Sequence, residues 1–159
     1  EMRHYRDHCV EASDEPALDA LRGECAAIVA RELDLRLTPA EAVEALLEAF
    51  RFTAYADAAG ALHRLRERGM RLAVVSNWDI GLREHLQSLG LDGVTVVTSA
   101  AAGAPKPDPA VFLLALERLG ERPERALHVG DSDADEEGAQ AAGMHFAPAP
   151  LERAVEQLA

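Results

Sequence analysis

The sequence predicts an α/β protein: a parallel sheet with helices on both faces, led by a helical module. Three observations predict it. Beyond residue 52, short apolar runs begin at Leu72, Val94, Ala126 and Met144, with stretches of helical periodicity between them. That alternation is what βαβ units write into a sequence. The first 51 residues, in contrast, hold one glycine, Gly23, and read as helix throughout. With 48% hydrophobic and 28% charged residues, a chain of 159 has ordinary globular composition and length enough for a buried core.

The elements follow in order. Residues 1–12 are expected to be helical. Ser13-Asp14-Glu15-Pro16 reads as an N-terminal cap feeding Leu18, Leu21, Cys25, Ile28 and Val29 at helical spacing. Thr38-Pro39-Ala40-Glu41 is a capping box with proline at the first helical position, followed by Val43, Leu46, Leu47 and Phe50. From there the texture changes. Asp57 is placed to cap a helix that runs to Gly69, and a strand is expected over 72–75. A helix over 81–89, a strand over 94–97 and an alanine-rich loop follow. A helix from Asp108-Pro109 to Gly120, a strand over 126–129, a helix over 136–142, a strand over 144–147 and a helix over 151–158 complete the pattern. The expected division is a helical module over 1–51 and a sheet-bearing core over 52–159.

Sixteen basic against 28 acidic residues give a net charge of −12, which argues against a nucleic-acid-binding surface. No apolar run approaches the roughly 18 residues a membrane span needs. Cys9 and Cys25 form no CxxC, so neither a disulfide framework nor a zinc site is indicated, and a reducing, cytoplasmic setting is expected. His4 and His8, and the arginines 64, 66 and 68, read as solvated helix faces; His128 and His145 read as packed on or beside strands. Fifteen of the 16 basic residues are arginine, and Lys106 is the only lysine.

In an open parallel sheet, ligands bind outside the carboxyl ends of the strands. Three polar groups of different kinds fall there. Ser76-Asn77-Trp78-Asp79 follows the first strand, Lys106-Pro107-Asp108-Pro109 lies beyond the second, and Gly130-Asp131-Ser132-Asp133-Ala134-Asp135 follows the third. Asp131 and Asp135 stand four apart where a helix begins, and neighbouring carboxylates repel unless a hard divalent cation joins them. Mg²⁺ is the expected ion, since it keeps waters and shares one or two carboxylates with substrate phosphate. Lys106 offers a compact charge able to reach phosphate and carboxylate together, which a guanidinium fork does less well. Ser76 and Asn77 suit either phosphate oxygens or the cap of the next helix.

These residues in this order resemble the haloacid dehalogenase-like hydrolase superfamily, most of whose members are phosphatases. Ser76 within VVSN resembles the family's second motif, Lys106 in KPDP the third, and Gly130, Asp131 and Asp135 the GDxxxD of the fourth. The resemblance implies a Rossmann-like core with a helical cap at the N-terminus. It also implies catalytic and phosphate-binding roles for Ser76 and Lys106, a phosphate-binding role for Asn77, and Mg²⁺ held by Asp131 and Asp135. Trp78 and Asp79 would line the substrate entrance. The implied partner is a small phosphorylated substrate, with neither nucleic acid nor membrane, and the oligomeric state stays open.

The family's first motif, an apolar strand ending in DxDxT whose leading Asp is the nucleophile, has no match. Asp7, Asp14, Asp19, Asp34 and Asp57 are the aspartates before residue 70, and none ends a strand-like run. The chain is therefore expected to lack an upstream strand and, as given, to be inactive, while the complete protein runs phosphoryl transfer through an aspartyl-phosphate. A 2-haloacid dehalogenase, which needs no metal, is one alternative; a non-catalytic fragment or interaction module is the other. A serine esterase is excluded, because Ser76 lacks the G-x-S-x-G elbow.

Overall fold

The computed structural model describes residues 2–56 and 58–157; the expected cap at Asp57 and the terminal residues Glu1, Leu158 and Ala159 lie outside them. Helices α1 (Met2–His8), α2 (Glu15–Glu32) and α3 (Pro39–Ala49) open the chain. The caps arise as their chemistry dictates. The Asp14 carboxylate accepts the Ala17 N–H at 2.9 Å. Thr38 Oγ1 accepts the Glu41 N–H at 3.4 Å while the Glu41 carboxylate accepts the Thr38 N–H at 2.8 Å. α1 stops at His8, short of the expected helix, because the chain turns to bury Cys9 and Ala12 with Leu18, Leu21 and Cys25. The apolar face expected on α3 is covered only in part: Leu47 and Phe50 stay exposed, as do Leu33, Leu35 and Leu37.

The second half runs α4 (Ala58–Glu67), β1 (Ala73–Ser76), α5 (Leu82–Ser88), β2 (Thr95–Thr98), α6 (Ser99–Ala102) and α7 (Ala110–Leu119). After a 3-10 turn over Pro123–Arg125 come β3 (Leu127–Gly130), α8 (Asp133–Ala141), β4 (His145–Pro148) and α9 (Leu151–Gln157). Each strand lies one residue further along than its apolar run. The ladder continues past the last apolar side chain, pairing Ser76 with Thr98 and Gly130 with Pro148.

Three expectations need correction. The alanine-rich loop is a helical turn, α6, because Thr98 Oγ1 accepts the Ala101 N–H at 3.2 Å and alanine supplies high helix propensity until Gly103 ends it. α8 starts at Asp133 rather than 136, capped by Ser132, which puts Asp135 inside its first turn. His145 is exposed rather than packed, with its Nε2 3.1 Å from the Glu124 carbonyl.

β1 pairs with β2 and β3 with β4, both parallel, giving two separate two-stranded sheets. No described strand joins β1 to β3. The helical layer holds the halves together. α7 packs on β1 and β2 while its fully buried Phe112 meets the His128 ring of β3 edge-on, centroids 4.9 Å apart. Val97, Val111, Ala115, Ala139 and Ala142 complete that core. Gly138 of α8 lets Phe112 in, since a Cβ there would lie 2.3 Å from its Cε2. β1 and β3 are only partly buried along their whole lengths, whereas interior strands of a parallel sheet are covered on both faces.

Candidate active site

The carboxyl ends of β1 and β3 open on the same polar cluster. Asn77, the first residue after β1, grips the main chain of Lys106: its Oδ1 accepts the Lys106 N–H at 2.6 Å and its Nδ2 donates to the Lys106 carbonyl at 3.2 Å. The Lys106 ammonium in turn donates to Asp135 Oδ1 at 2.6 Å. His128 Nε2 lies 2.7 Å from the same oxygen, and Ser132 Oγ donates to Asp135 Oδ2 at 2.5 Å. A continuous hydrogen-bonded chain thus runs from the end of β1 through Lys106 to α8 and β3, across the line where the two sheets do not pair.

Burial sets the electrostatics. Asp135 is 4% exposed. Burial alone would raise its carboxyl pKa; the hydrogen bonds from Lys106, Ser132 and His128, with the Lys106 charge, outweigh that and hold it well below the usual carboxylate range. Burial lowers the His128 imidazole from its ordinary value, with the Lys106 charge adding to the shift and Asp135 opposing it. Gly130 is required by close approach: a Cβ there would lie 2.4 Å from Asp135 Cβ. That contact explains why glycine precedes Asp131 in this turn.

Asp131 is exposed and its carboxylate makes no hydrogen bond or ion pair within the described residues. Asp133, Glu136 and Glu137 are exposed as well. Asp135, expected as a second metal ligand, accepts from Lys106 and Ser132 and lies within hydrogen-bond distance of His128 Nε2. Among the described residues no group of three acidic, histidine or cysteine side chains forms a metal cage. The open Asp131 carboxylate, with Asp135 behind it, fits the chemistry of Mg²⁺, an ion held by one or two carboxylates with waters and substrate completing its shell.

Ser76 closes β1 half-buried, with no side-chain hydrogen bond within the described residues. Asp79, expected at an entrance, is 6% exposed. It accepts from Tyr5 Oη at 2.7 Å and from the Gly81 N–H at 2.6 Å, binding α1 to the loop after β1. Tyr5 is pushed far above its ordinary range by burial and by the neighbouring Asp79. Trp78 stands at the same seam, edge-on to Tyr5 at 5.9 Å and to Phe52 at 5.4 Å between centroids. The Trp78 main-chain N–H donates to Ser99 Oγ at 3.1 Å.

His128 is the member of the cluster that sequence reasoning read only as packing. The signal was strand alternation: residues 128 and 130 share a face, so His128 points with the Gly130–Asp131 turn. The capping role of Ser132 on α8 was legible from its residue type and was also passed over.

The family model "haloacid dehalogenase-like hydrolase" matches residues 3–143. Haloacid dehalogenase-like hydrolase domain-containing protein 3 of Mus musculus is 52% identical over 83 residues, 50% of this chain and 33% of its own length. Glyceraldehyde 3-phosphate phosphatase of Methanopyrus kandleri is 43% identical over 94 residues, 57% of this chain and 40% of its own length. The matches therefore span less than half of either relative. The crystal structure of a HAD phosphatase from Thermococcus onnurineus superposes with a TM-score of 0.59 at 33% identity, covering 76% of this chain and 56% of that one.

Proposed function

The chain belongs to the haloacid dehalogenase-like hydrolase family, and from that we propose that it is the phosphate-handling part of a phosphatase for small phosphorylated metabolites. The observation that carries the reading is the Lys106–Asp135 ion pair, 2.6 Å long and pinned through Asn77 to the end of β1. An ammonium fixed beside a buried carboxylate is a preorganised charge that costs no reorganisation when an anion arrives. The phosphatase named among the relatives supports that chemistry over dehalogenation.

In this reading Lys106 and the open Ser76 hydroxyl bind phosphoryl oxygens. Asn77 positions the main chain of Lys106, while Asp135, held by Ser132 and His128, aims its ammonium. The nucleophile is an aspartate on a strand seated between β1 and β3. Its oxygen bonds to phosphorus as the ester P–O bond breaks, and a second carboxylic acid gives the leaving alkoxide its proton. That carboxylate then takes a proton from water, whose oxygen attacks phosphorus as the aspartyl P–O bond breaks, releasing phosphate and restoring the aspartate. Asp131, with Asp135 in support, would hold Mg²⁺, which would neutralise phosphoryl charge when bound. Trp78, at the seam with the helical module, walls the substrate side. Cys9 and Cys25 are buried and not joined in a disulfide, which supports a reducing, cytoplasmic setting. On this reading residues 1–159 alone turn over no phosphate ester.

The test is a parallel assay of phosphate release from small phosphomonoesters and of halide release from 2-haloacids, in protein that includes the aspartate-bearing strand. Phosphate release that chelator abolishes is the expected result. Lys106→Arg should lose at least about tenfold in kcat/KM, roughly 1.4 kcal/mol of transition-state stabilisation, because a planar guanidinium cannot occupy the ammonium's position. Halide release without phosphate release, or wild-type kinetics from the arginine variant, overturns the assignment.

A further inference from the structure

At the opposite end of the sheet, the amino ends of β1 and β2, four arginines converge on one open cavity of about 500 Å³. Arg66 comes from α4, Arg71 from the lead-in to β1, Arg83 from α5 and Arg118 from the end of α7. Among the described residues no carboxylate lines the cavity. In a chain of net charge −12, that concentration of cations runs against the overall composition.

How the four are held matters more than their number. Arg66 donates to the Asp92 carbonyl, Arg118 Nη1 to the Val96 carbonyl at 2.8 Å, and Arg71 Nη1 to the Leu119 carbonyl at 2.5 Å. Main-chain carbonyls fix a guanidinium without neutralising it, and each guanidinium has five N–H donors, most of them still free. Arg71 also pairs with Glu121 at 2.5 Å, the only carboxylate that the four reach within the described residues. Arg83 makes no hydrogen bond or ion pair within the described residues. Gly93 belongs to the same construction: its φ of +72° favours glycine, and a Cβ there would lie 3.1 Å from Arg66 Nη2. Like charges lining one cavity repel, and a bound anion relieves the repulsion.

We propose that this cavity is a second ligand site, for a small phosphate-bearing anion, remote from the Lys106 cluster. Planar forks pinned from three directions suit the oxygens of a phosphate group. The cavity volume lies in the small-molecule range, and Thr95 adds a residue with a hydroxyl to its wall. Met70, Leu72 and Val94 give an apolar floor on which the carbon part of an organic phosphate rests. β1 spans four residues, so the two sites stand about 13 Å apart along the strands. The site is independent of the catalytic reading, and no turnover is needed to detect it.

The test is a titration of the ¹⁵N-labelled chain with inorganic pyrophosphate, followed by amide shifts against chloride at matched ionic strength. Saturable shifts at Leu72, Gly93 and Thr95 are expected. The double variant Arg83→Gln/Arg118→Gln should weaken the apparent Kd at least tenfold, and Lys106→Gln should leave it within about twofold. Arg83→Gln alone, at an exposed side chain with no partner to lose, keeps the fold and should weaken binding about threefold. Shifts confined to Ser76, Lys106 and Gly130, a response that chloride reproduces, or unchanged affinity in the arginine variants would overturn the proposal.

Discussion

Asp135 joins more of the site than any other side chain, and its neighbour His128 makes that junction sensitive to pH. Burial and the Lys106 charge lower the folded-state pKa of His128 below its value of about 6.5 in the unfolded chain. As pH falls, the unfolded chain therefore binds the proton first. The stabilisation that the neutral imidazole brings is complete above about pH 6.5 and is lost as pH falls through the lower folded value. The melting temperature should fall between about pH 7 and pH 5, and His128→Asn should flatten that slope. Thermal melts of the two proteins across that range check it, and equal slopes would contradict it. The depressed Asp135 acts in the same direction at lower pH: its contribution is present above about pH 4 and lost further into acid.

Elements were legible wherever side-chain chemistry alone decides them. The Asp14 cap and the Thr38 capping box stand where residue type and spacing put them. What the pattern did not reveal was set by tertiary contact. Strand ends moved by one residue because backbone pairing outlasts the apolar run, and α8 began earlier because Ser132 and Asp135 cap each other across its first turn. That Ser76 closes β1 and Asp131 follows β3 was readable from the apolar runs. The use of Asp135 and Asn77 was not, since only folding shows which donors reach a carboxylate or which carbonyl an amide grips. The Tyr5–Asp79 contact, 74 residues apart in sequence, is of the same kind. Tyr5→Phe removes one donor from a buried carboxylate that keeps the Gly81 N–H, a loss of about 1–3 kcal/mol. For a chain of this size that lowers the melting temperature by several degrees, at about 2–4 °C per kcal/mol. A calorimetric scan showing no decrease would mean that α1 does not depend on this contact.

At the scale of the whole molecule, two half-sheets are bridged by α7 below and by the Lys106–Asp135 chain at the carboxyl edge. Among the described residues β1 pairs only with β2 and β3 only with β4, so each keeps an edge with no strand partner, the condition that invites an added strand. Our account puts the aspartate-bearing strand there, which would fully bury β1 and β3 and bring a nucleophile between Ser76 and Asp131. Backbone amide exchange tests this most directly, with and without a synthetic peptide of about six apolar residues ending in Asp-x-Asp-x-Thr. The account predicts rapid exchange at the open edges of β1 and β3 in the chain alone, and strong protection there once peptide binds, with β2 and β4 little changed. Edges already protected in the chain alone, or exchange unaffected by saturating peptide, would contradict it.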